Sequence, residues 1–362
     1  MSIPLVDLAW QHRAIADEVK VGFDRVIESC AFVLGPDVQA FEEEFAAASG
    51  VDHCIGVGNG TDALELACRA LEIGVGDEVI VPANTFIASA LAVARAGAVP
   101  VFVDSDPVTH LLDTAAALDR VGPKTRAIMP VNLFGQIAPF EQLADASVPL
   151  IEDAAQSQGA RRAGRLSGSF GAVAGTSFFP GKNLGAYGDA GAVVTADPEL
   201  AQRLRILRQY GSEQKYHHPE QGFNSRLDTL QAVVLRAKLR RLEGWNEDRR
   251  SAARRYDELL ADLPDVVLPQ TLEGNDHVWH LYAIRVPERD RVLAALNAAD
   301  IGAGIHYPRP IHLQGAFRDL GHARGDFPVA EHAADELLSL PIYPGIRPDQ
   351  QQHVVSVLAS SL

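Results

Sequence analysis

Cys54-Ile55-Gly56-Val57-Gly58-Asn59-Gly60-Thr61-Asp62-Ala63-Leu64-Glu65-Leu66-Ala67-Cys68-Arg69-Ala70-Leu71 reads as a strand, a glycine-rich turn and a helix in succession. Residues 54–57 are short and apolar. From Asp62 onward Leu64, Ala67, Cys68 and Leu71 fall at the three-and-four spacing of one helix face. The same alternation continues downstream. Strands are expected at 78–82, 100–104, 127–131 and 148–152, with helices at 86–96 and near 114–121 between them. Strands alternating with helices at this pitch predict a mostly parallel sheet covered on both faces, an α/β fold. Further strands are expected at 172–179 and 191–195, and a helix at 198–208. A long helical stretch, 227 to about 260, reads as a strut between two lobes. Beyond it the pattern is mixed: a strand at 277–286, a helix at 290–299, an extended run at 301–306 and a last helix from about Pro348. The expected division is a large domain with an N-terminal arm, 1–245, and a smaller α+β domain, 246–362. The cleft between them is the expected site.

The composition narrows the function classes. The chain has 362 residues, 47% hydrophobic and 22% charged, enough for a sizeable core. Its net charge of -15 opposes binding to phosphate backbones, so no nucleic-acid partner is expected. No apolar run reaches membrane-spanning length, and Met1-Ser2-Ile3-Pro4-Leu5-Val6-Asp7 lacks the basic start of a secretory signal. A cytoplasmic protein without a membrane partner is the expectation. Cys30, Cys54 and Cys68 are odd in number and lack close pairing, so neither a disulfide framework nor a metal site is expected.

Four short segments carry candidate chemistry. In Ser177-Phe178-Phe179-Pro180-Gly181-Lys182-Asn183-Leu184-Gly185 a lysine follows a strand and a Pro-Gly turn, where α/β folds seat ligands. Such an amine is either a nucleophile that burial keeps partly neutral or a solvated loop residue. In Ile151-Glu152-Asp153-Ala154-Ala155-Gln156 an acid ends an apolar strand. Asp153 there either pairs with a cation, such as a protonated pyridine nitrogen, or caps a turn. The glycines of 56–62 form either an anion cradle at a helix N-terminus or a plain cap. Their spacing is not GxGxxG, which argues against a nicotinamide site. Phe86, in Pro82-Ala83-Asn84-Thr85-Phe86-Ile87-Ala88, stacks on a flat ring or joins the core.

In this order, and with Gly222-Phe223-Asn224-Ser225-Arg226-Leu227-Asp228, these segments resemble the DegT/DnrJ/EryC1/StrS family of pyridoxal-phosphate (PLP)-dependent nucleotide-sugar aminotransferases. The resemblance runs from Ile3-Pro4-Leu5-Val6-Asp7-Leu8 to Leu340-Pro341-Ile342-Tyr343-Pro344. It implies PLP fold type I. It also implies that Lys182 carries the cofactor as a Schiff base and then moves protons. Asp153 pairs with the pyridine nitrogen, Gln156 lies by the ring and its 3-hydroxyl, and Phe86 stacks on the ring. Gly60, Thr61 and Ser177 hold the phosphate. Asn224 reaches that phosphate from a second subunit, which makes the protein a homodimer with shared sites. Arg226 fixes that crossing segment or meets an acidic group of the donor.

The resemblance places His306, Tyr307 and His312, in Gly304-Ile305-His306-Tyr307-Pro308-Arg309-Pro310-Ile311-His312-Leu313-Gln314, on the substrate side, with Lys215 and its neighbour Tyr216 as further candidates. Two departures stand out: Asn132 where many relatives carry histidine, expected to alter a contact at the sugar end, and Gly181 where many carry Ser or Thr. Pro-Gly-Lys-Asn-Leu-Gly-Ala-Tyr-Gly-Asp with the His-Tyr-Pro loop is most similar to enzymes that aminate the 3-keto position of dTDP-6-deoxyhexoses. The implied reaction is a ping-pong transamination with L-glutamate, or glutamine, as donor. The alternatives are 4-amination, PLP-dependent sugar dehydration, a PLP-binding regulator and a nicotinamide oxidoreductase. Relatives that dehydrate sugars replace the lysine with histidine, and Lys182 is present.

Overall fold

The computed structural model describes residues 2–362. Three helices open the chain: α1 (Leu8–Arg13), α2 (Ala16–Ser29) and α3 (Pro36–Ser49). The α/β alternation follows as β1 (His53–Val57), α4 (Gly60–Ala70), β2 (Glu78–Pro82), α5 (Ala88–Arg95), β3 (Val99–Val103), α6 (Thr114–Asp119), β4 (Thr125–Ile128) and β5 (Ile151–Asp153). A small ribbon, β6 (Arg161–Arg162) and β7 (Arg165–Leu166), leads to β8 (Val173–Ser177) and β9 (Gly191–Thr195). Then come α7 (Pro198–Leu207), α8 (Thr229–Leu239), α9 (Leu242–Leu260), β10 (Asn275–Asp276), β11 (Tyr282–Arg285), α10 (Arg289–Ala298), α11 (Pro328–Glu336), β12 (Leu337–Leu340) and α12 (Pro348–Ser361).

The main sheet forms in two pieces, β3-β2-β4 and β5-β8-β9-β1. Parallel bridges Ile128↔Leu150 and Val131↔Asp153 join them, so the order across is β3-β2-β4-β5-β8-β9-β1. Only β9 runs against its neighbours β8 and β1. Alternate residues of each strand enter different cores. Ile55, Val57, Val173 and Val193 pack under α4, α5 and α7, whereas Cys54, Ala174, Ala192 and Val194 pack under α3 and α8. Burial on both faces explains why these strands read as apolar runs.

The smaller lobe pairs β11 with β12 in antiparallel fashion. Tyr256, Val292, Leu296 and Leu358 from α9, α10 and α12 cover that pair. Ile3 is fully buried in the same core and bridges Ile301, which stitches this segment to the small lobe.

The strut expected at 227–260 is broken. α8 packs its apolar face on the large sheet, α9 turns into the small lobe, and Arg240 and Arg241 carry the change of direction. The strand expected at 277–286 shortens to Tyr282–Arg285, because the His277 ring accepts from Trp279 N at 2.8 Å and Trp279 adopts φ +47°. The helix expected at 86–96 starts at Ala88, leaving Phe86 outside it. No described helix is long and apolar enough to cross a membrane.

Candidate active site

The C-terminal ends of β5 and β8, the start of α4 and the loop before β11 enclose a cleft of about 1010 Å³ between the lobes. Its phosphate-sized corner is built by close packing. Asn59 caps α4 by accepting from Asp62 N at 2.8 Å, so the N–H groups of Gly60 and Thr61 open the helix, where the first turn has no intrahelical acceptors. A Cβ on Gly60 would sit 2.6 Å from Ser177 Cβ, and one on Gly191 would sit 2.5 Å from the Asn59 carbonyl carbon. Glycine is needed at both positions for β8 and β9 to lie against the helix start. The Ser177 and Thr61 side chains complete the corner. Arg95 also lines the cleft, but Asp62 at 3.3 Å and Glu65 at 2.8 Å already answer its charge.

Asp153, at the end of β5, is buried. Its Oδ2 accepts from Ser89 Oγ at 2.7 Å, and its Oδ1 from Ala155 N at 3.1 Å. Burial pushes its carboxyl up, while Ser89, the Ala155 amide and Lys182 hold the charged form. Lys182 lines the same cleft on the turn after β8. Burial pulls its amine down to about 8, with the Asp153 carboxylate opposing. Phe86 leaves 51% of its surface exposed and faces the Tyr307 ring at 5.5 Å. Gln156 is held at both ends: its Oε1 accepts from Phe134 N at 2.6 Å, and its Nε2 donates to Tyr307 Oη at 2.9 Å. That second bond ties the large lobe to the 306–307 loop. His306 is oriented by Ser339 Oγ at 2.9 Å from its Nδ1, and burial pulls the imidazole down to about 4.

Gly60, Thr61, Phe86, Asp153, Gln156, Ser177, Lys182, His306 and Tyr307 therefore converge on one cleft. Five other candidates do not line it, among them Tyr216, which is exposed under Lys215. His312, expected on the substrate side, is 1% exposed and holds the Glu331 carboxylate at 3.1 Å, packed against Phe327. It anchors a small-lobe loop. Lys215 and Asn224 are exposed, and Arg226 lies over the Tyr210 ring at 5.8 Å, all outside this protomer's cleft. Asn132 is also displaced from its expected place at the sugar end: it is fully buried and donates to Glu152 at 2.7 Å.

Three cleft or supporting residues escape a reading of the sequence. Ser89 lies three residues after Phe86, and that spacing on the helix expected from residue 86 is the signal that could have found it. Asn183 donates to Asn246 Oδ1 and Val278 O, both at 2.8 Å, and pins the lysine turn to the small-lobe side. His280 lines the cleft from the loop before β11 and has no sequence signature.

The ensemble matches a flat pyridine ring bearing a phosphate: an amine, a carboxylate with one answering hydroxyl, an open aromatic face and a glycine-lined helix start. Comparison with known proteins agrees. The model of the DegT/DnrJ/EryC1/StrS aminotransferase family matches residues 14–359. The chain belongs to this family. A protein of Saccharopolyspora erythraea named as the erythromycin biosynthesis sensory transduction protein EryC1 is 48% identical over 362 residues, covering 99% of each chain. The dTDP-3-amino-3,4,6-trideoxy-alpha-D-glucose transaminase of Streptomyces venezuelae is 45% identical over 98% of this chain and 95% of its own. The crystal structure of S. venezuelae DesV in complex with a ketimine intermediate superposes with a TM-score of 0.96 at 45% identity, covering 99% of this chain and 98% of that one. The fold is that of the type I PLP enzymes, the protein is a PLP-dependent sugar aminotransferase, and its cofactor is pyridoxal 5′-phosphate.

Proposed function

We propose that this aminotransferase moves the amino group of L-glutamate to C3 of a dTDP-linked 3-keto-6-deoxyhexose, as a homodimer in the cytoplasm. The observation that carries the reading is the convergence of Lys182, Asp153, the half-exposed Phe86 and the α4 cradle on one cleft. When bound, PLP supplies an electron sink for the carbanion formed at the substrate carbon. Gly60, Thr61 and Ser177 would hold its phosphate, Phe86 its face, Gln156 its 3-hydroxyl edge and Asp153 its ring nitrogen. Lys182 serves as nucleophile and as proton carrier. Burial pulls that amine down to about 8, so part of it is free base at neutral pH.

Support for the 3-position comes from the S. venezuelae relative, whose name places its amino group at C3. On the sugar side His306 and Tyr307 stand in the cleft. Two features support the shared site. Asn224 and Lys215 are exposed. Large apolar side chains also remain uncovered on the protomer, with Phe32 at 45%, Val33 at 51%, Tyr210 at 48% and Tyr216 at 86% exposure. In the dimer Asn224 would reach the partner's phosphate corner, and Arg226 would steady the crossing segment.

The test supplies the PLP-loaded enzyme with ¹⁵N-labelled L-glutamate and separate 3-keto and 4-keto sugars on dTDP, UDP and GDP. The expected product carries ¹⁵N on C3 of the dTDP sugar. Label on C4, or turnover only with another nucleotide, would overturn the corresponding part of the proposal.

A further inference from the structure

The hydroxyl of Thr85 stands one hydrogen bond away from the residue that grips Asp153. Thr85 lies in the turn after β2, and Ser89, four residues later, lies in the first turn of α5. Thr85 Oγ1 and Ser89 Oγ are 3.2 Å apart, and Ser89 Oγ is 2.7 Å from Asp153 Oδ2. All three residues are buried, and all three line the cleft. The two hydroxyls thus connect the ends of β2 and β5, strands that β4 separates in the sheet.

This geometry fixes which way the hydrogens point. An ionised carboxylate only accepts, and a hydroxyl has one hydrogen to give. Ser89 gives its hydrogen to Asp153, so in its pair with Thr85 it accepts and Thr85 donates. Ser89 Oγ is the only hydrogen-bond partner of the Thr85 hydroxyl among the described residues. Over a charged Asp153 every hydrogen of the chain therefore has an acceptor. Were Asp153 protonated on Oδ2 and donating to Ser89, the Ser89 hydrogen would turn to Thr85 or to Phe86 O at 3.4 Å. The Thr85 hydrogen would then have no acceptor among these residues, and a buried polar hydrogen without a partner is costly. A hydroxyl that accepts a hydrogen bond is also the stronger donor, because successive bonds polarise one another.

We propose that Thr85 is a positioning residue for the cofactor's ring nitrogen: by donating to Ser89 it commits the Ser89 hydrogen to Asp153 and keeps that carboxylate charged for its partner. Thr85 acts through Ser89 and not on Asp153 directly. The inference rests on Asp153 meeting the ring nitrogen and is independent of which sugar is aminated.

The test measures the affinity of cofactor-free full-length protein for two probes, PLP and 1-deazapyridoxal 5′-phosphate, which has a C–H in place of the ring nitrogen. Both keep the aldehyde and the phosphate, so Lys182 and the α4 cradle meet the same groups in each. Wild type is expected to prefer PLP. Thr85→Val, which lacks the hydroxyl, is expected to lose about 3- to 10-fold in affinity for PLP and to hold the analogue as wild type does. Thr85→Ser, which keeps the donor, is expected to restore the affinity for PLP. In a Ser89→Ala background Thr85→Val is expected to change that affinity by less than about twofold, because the link through which it acts is gone. An equal loss for both probes, or the same loss with and without the Ser89 hydroxyl, would assign Thr85 to packing of the cleft wall and overturn the proposal. If Thr85→Val does not fold, Thr85→Ala gives the same comparison. Equal affinity of wild type for the two probes would overturn the Asp153 pairing and the proposal together. A wild-type preference that Thr85→Val leaves unchanged overturns the proposal alone.

Discussion

Removing the Ser89 hydroxyl tests how the buried carboxylate is prepared for its partner. Asp153 receives two hydrogen bonds, and the Ser89 bond at 2.7 Å is the shorter. A hydrogen bond to a charged group is worth about 1.5–3 kcal/mol. At about 1.36 kcal/mol per pKa unit, Ser89→Ala raises the Asp153 carboxyl by roughly one to two units beyond what burial already does. Burial has already raised this group in the folded state, so its contribution to stability is present at low pH and lost as pH rises through its folded value. The variant enlarges that loss. Cofactor-free Ser89→Ala is therefore less stable than wild type at neutral pH, and the gap narrows as the pH falls and Asp153 protonates. With a less readily ionised carboxylate, affinity for PLP drops about 10- to 100-fold. Titration of cofactor-free protein with PLP, followed by visible absorbance, measures the affinity, and urea unfolding at two pH values measures the stability. An affinity within twofold of wild type, together with a pH-independent stability gap, would refute the reasoning.

Other perturbations separate the site from its scaffold. The first half-reaction with L-glutamate should lose rate as pH falls below about 8, roughly tenfold per unit, because Lys182 works as its free base; stopped-flow bleaching of the cofactor band reads this limb. Gly60→Ala forces a Cβ to 2.6 Å from Ser177 and is expected to destabilise the protein by about 1–3 kcal/mol and to weaken PLP binding, measured by thermal unfolding with and without cofactor. His312→Ala should cost about 1–3 kcal/mol in urea unfolding by stripping the buried Glu331 of a partner, while KM for the keto-sugar stays unchanged.

The parts that were legible in the sequence are local ones. The alternation of apolar runs with Leu64-Ala67-Cys68-Leu71 spacing carries the sheet order's parallel core, because each strand is buried on both faces and must read as apolar. The glycine-rich start of α4, the acid at the end of β5 and the lysine after β8 are legible because each sits at a fixed place in a strand–turn–helix unit. What was hidden depends on contacts distant in sequence. His312 and His306 share one motif, but only a fold that packs Glu331 against His312 shows that the former faces inward. The break at Arg240 and Arg241 is invisible in periodicity, because only these two residues separate α8 from α9 and neither a glycine nor a proline marks the turn. His280 and Asn183 have no spacing signal at all; their importance comes from the tie between the 278 loop and the lysine turn. The placement of Ile3 in the small lobe's core likewise follows from a bridge to a residue far down the chain.

The central claim is that Lys182 bonds the cofactor and that an amino donor discharges it. The most direct test is the absorbance spectrum of the purified protein, wild type and Lys182→Ala, with PLP added and then with L-glutamate. Wild type is expected to show the visible band of a lysine-linked cofactor, which bleaches to a pyridoxamine-like band with glutamate, and Lys182→Ala is expected to lack the linked form. A wild-type protein without that band after PLP addition, or a Lys182→Ala protein that retains it and bleaches like wild type, would contradict the account.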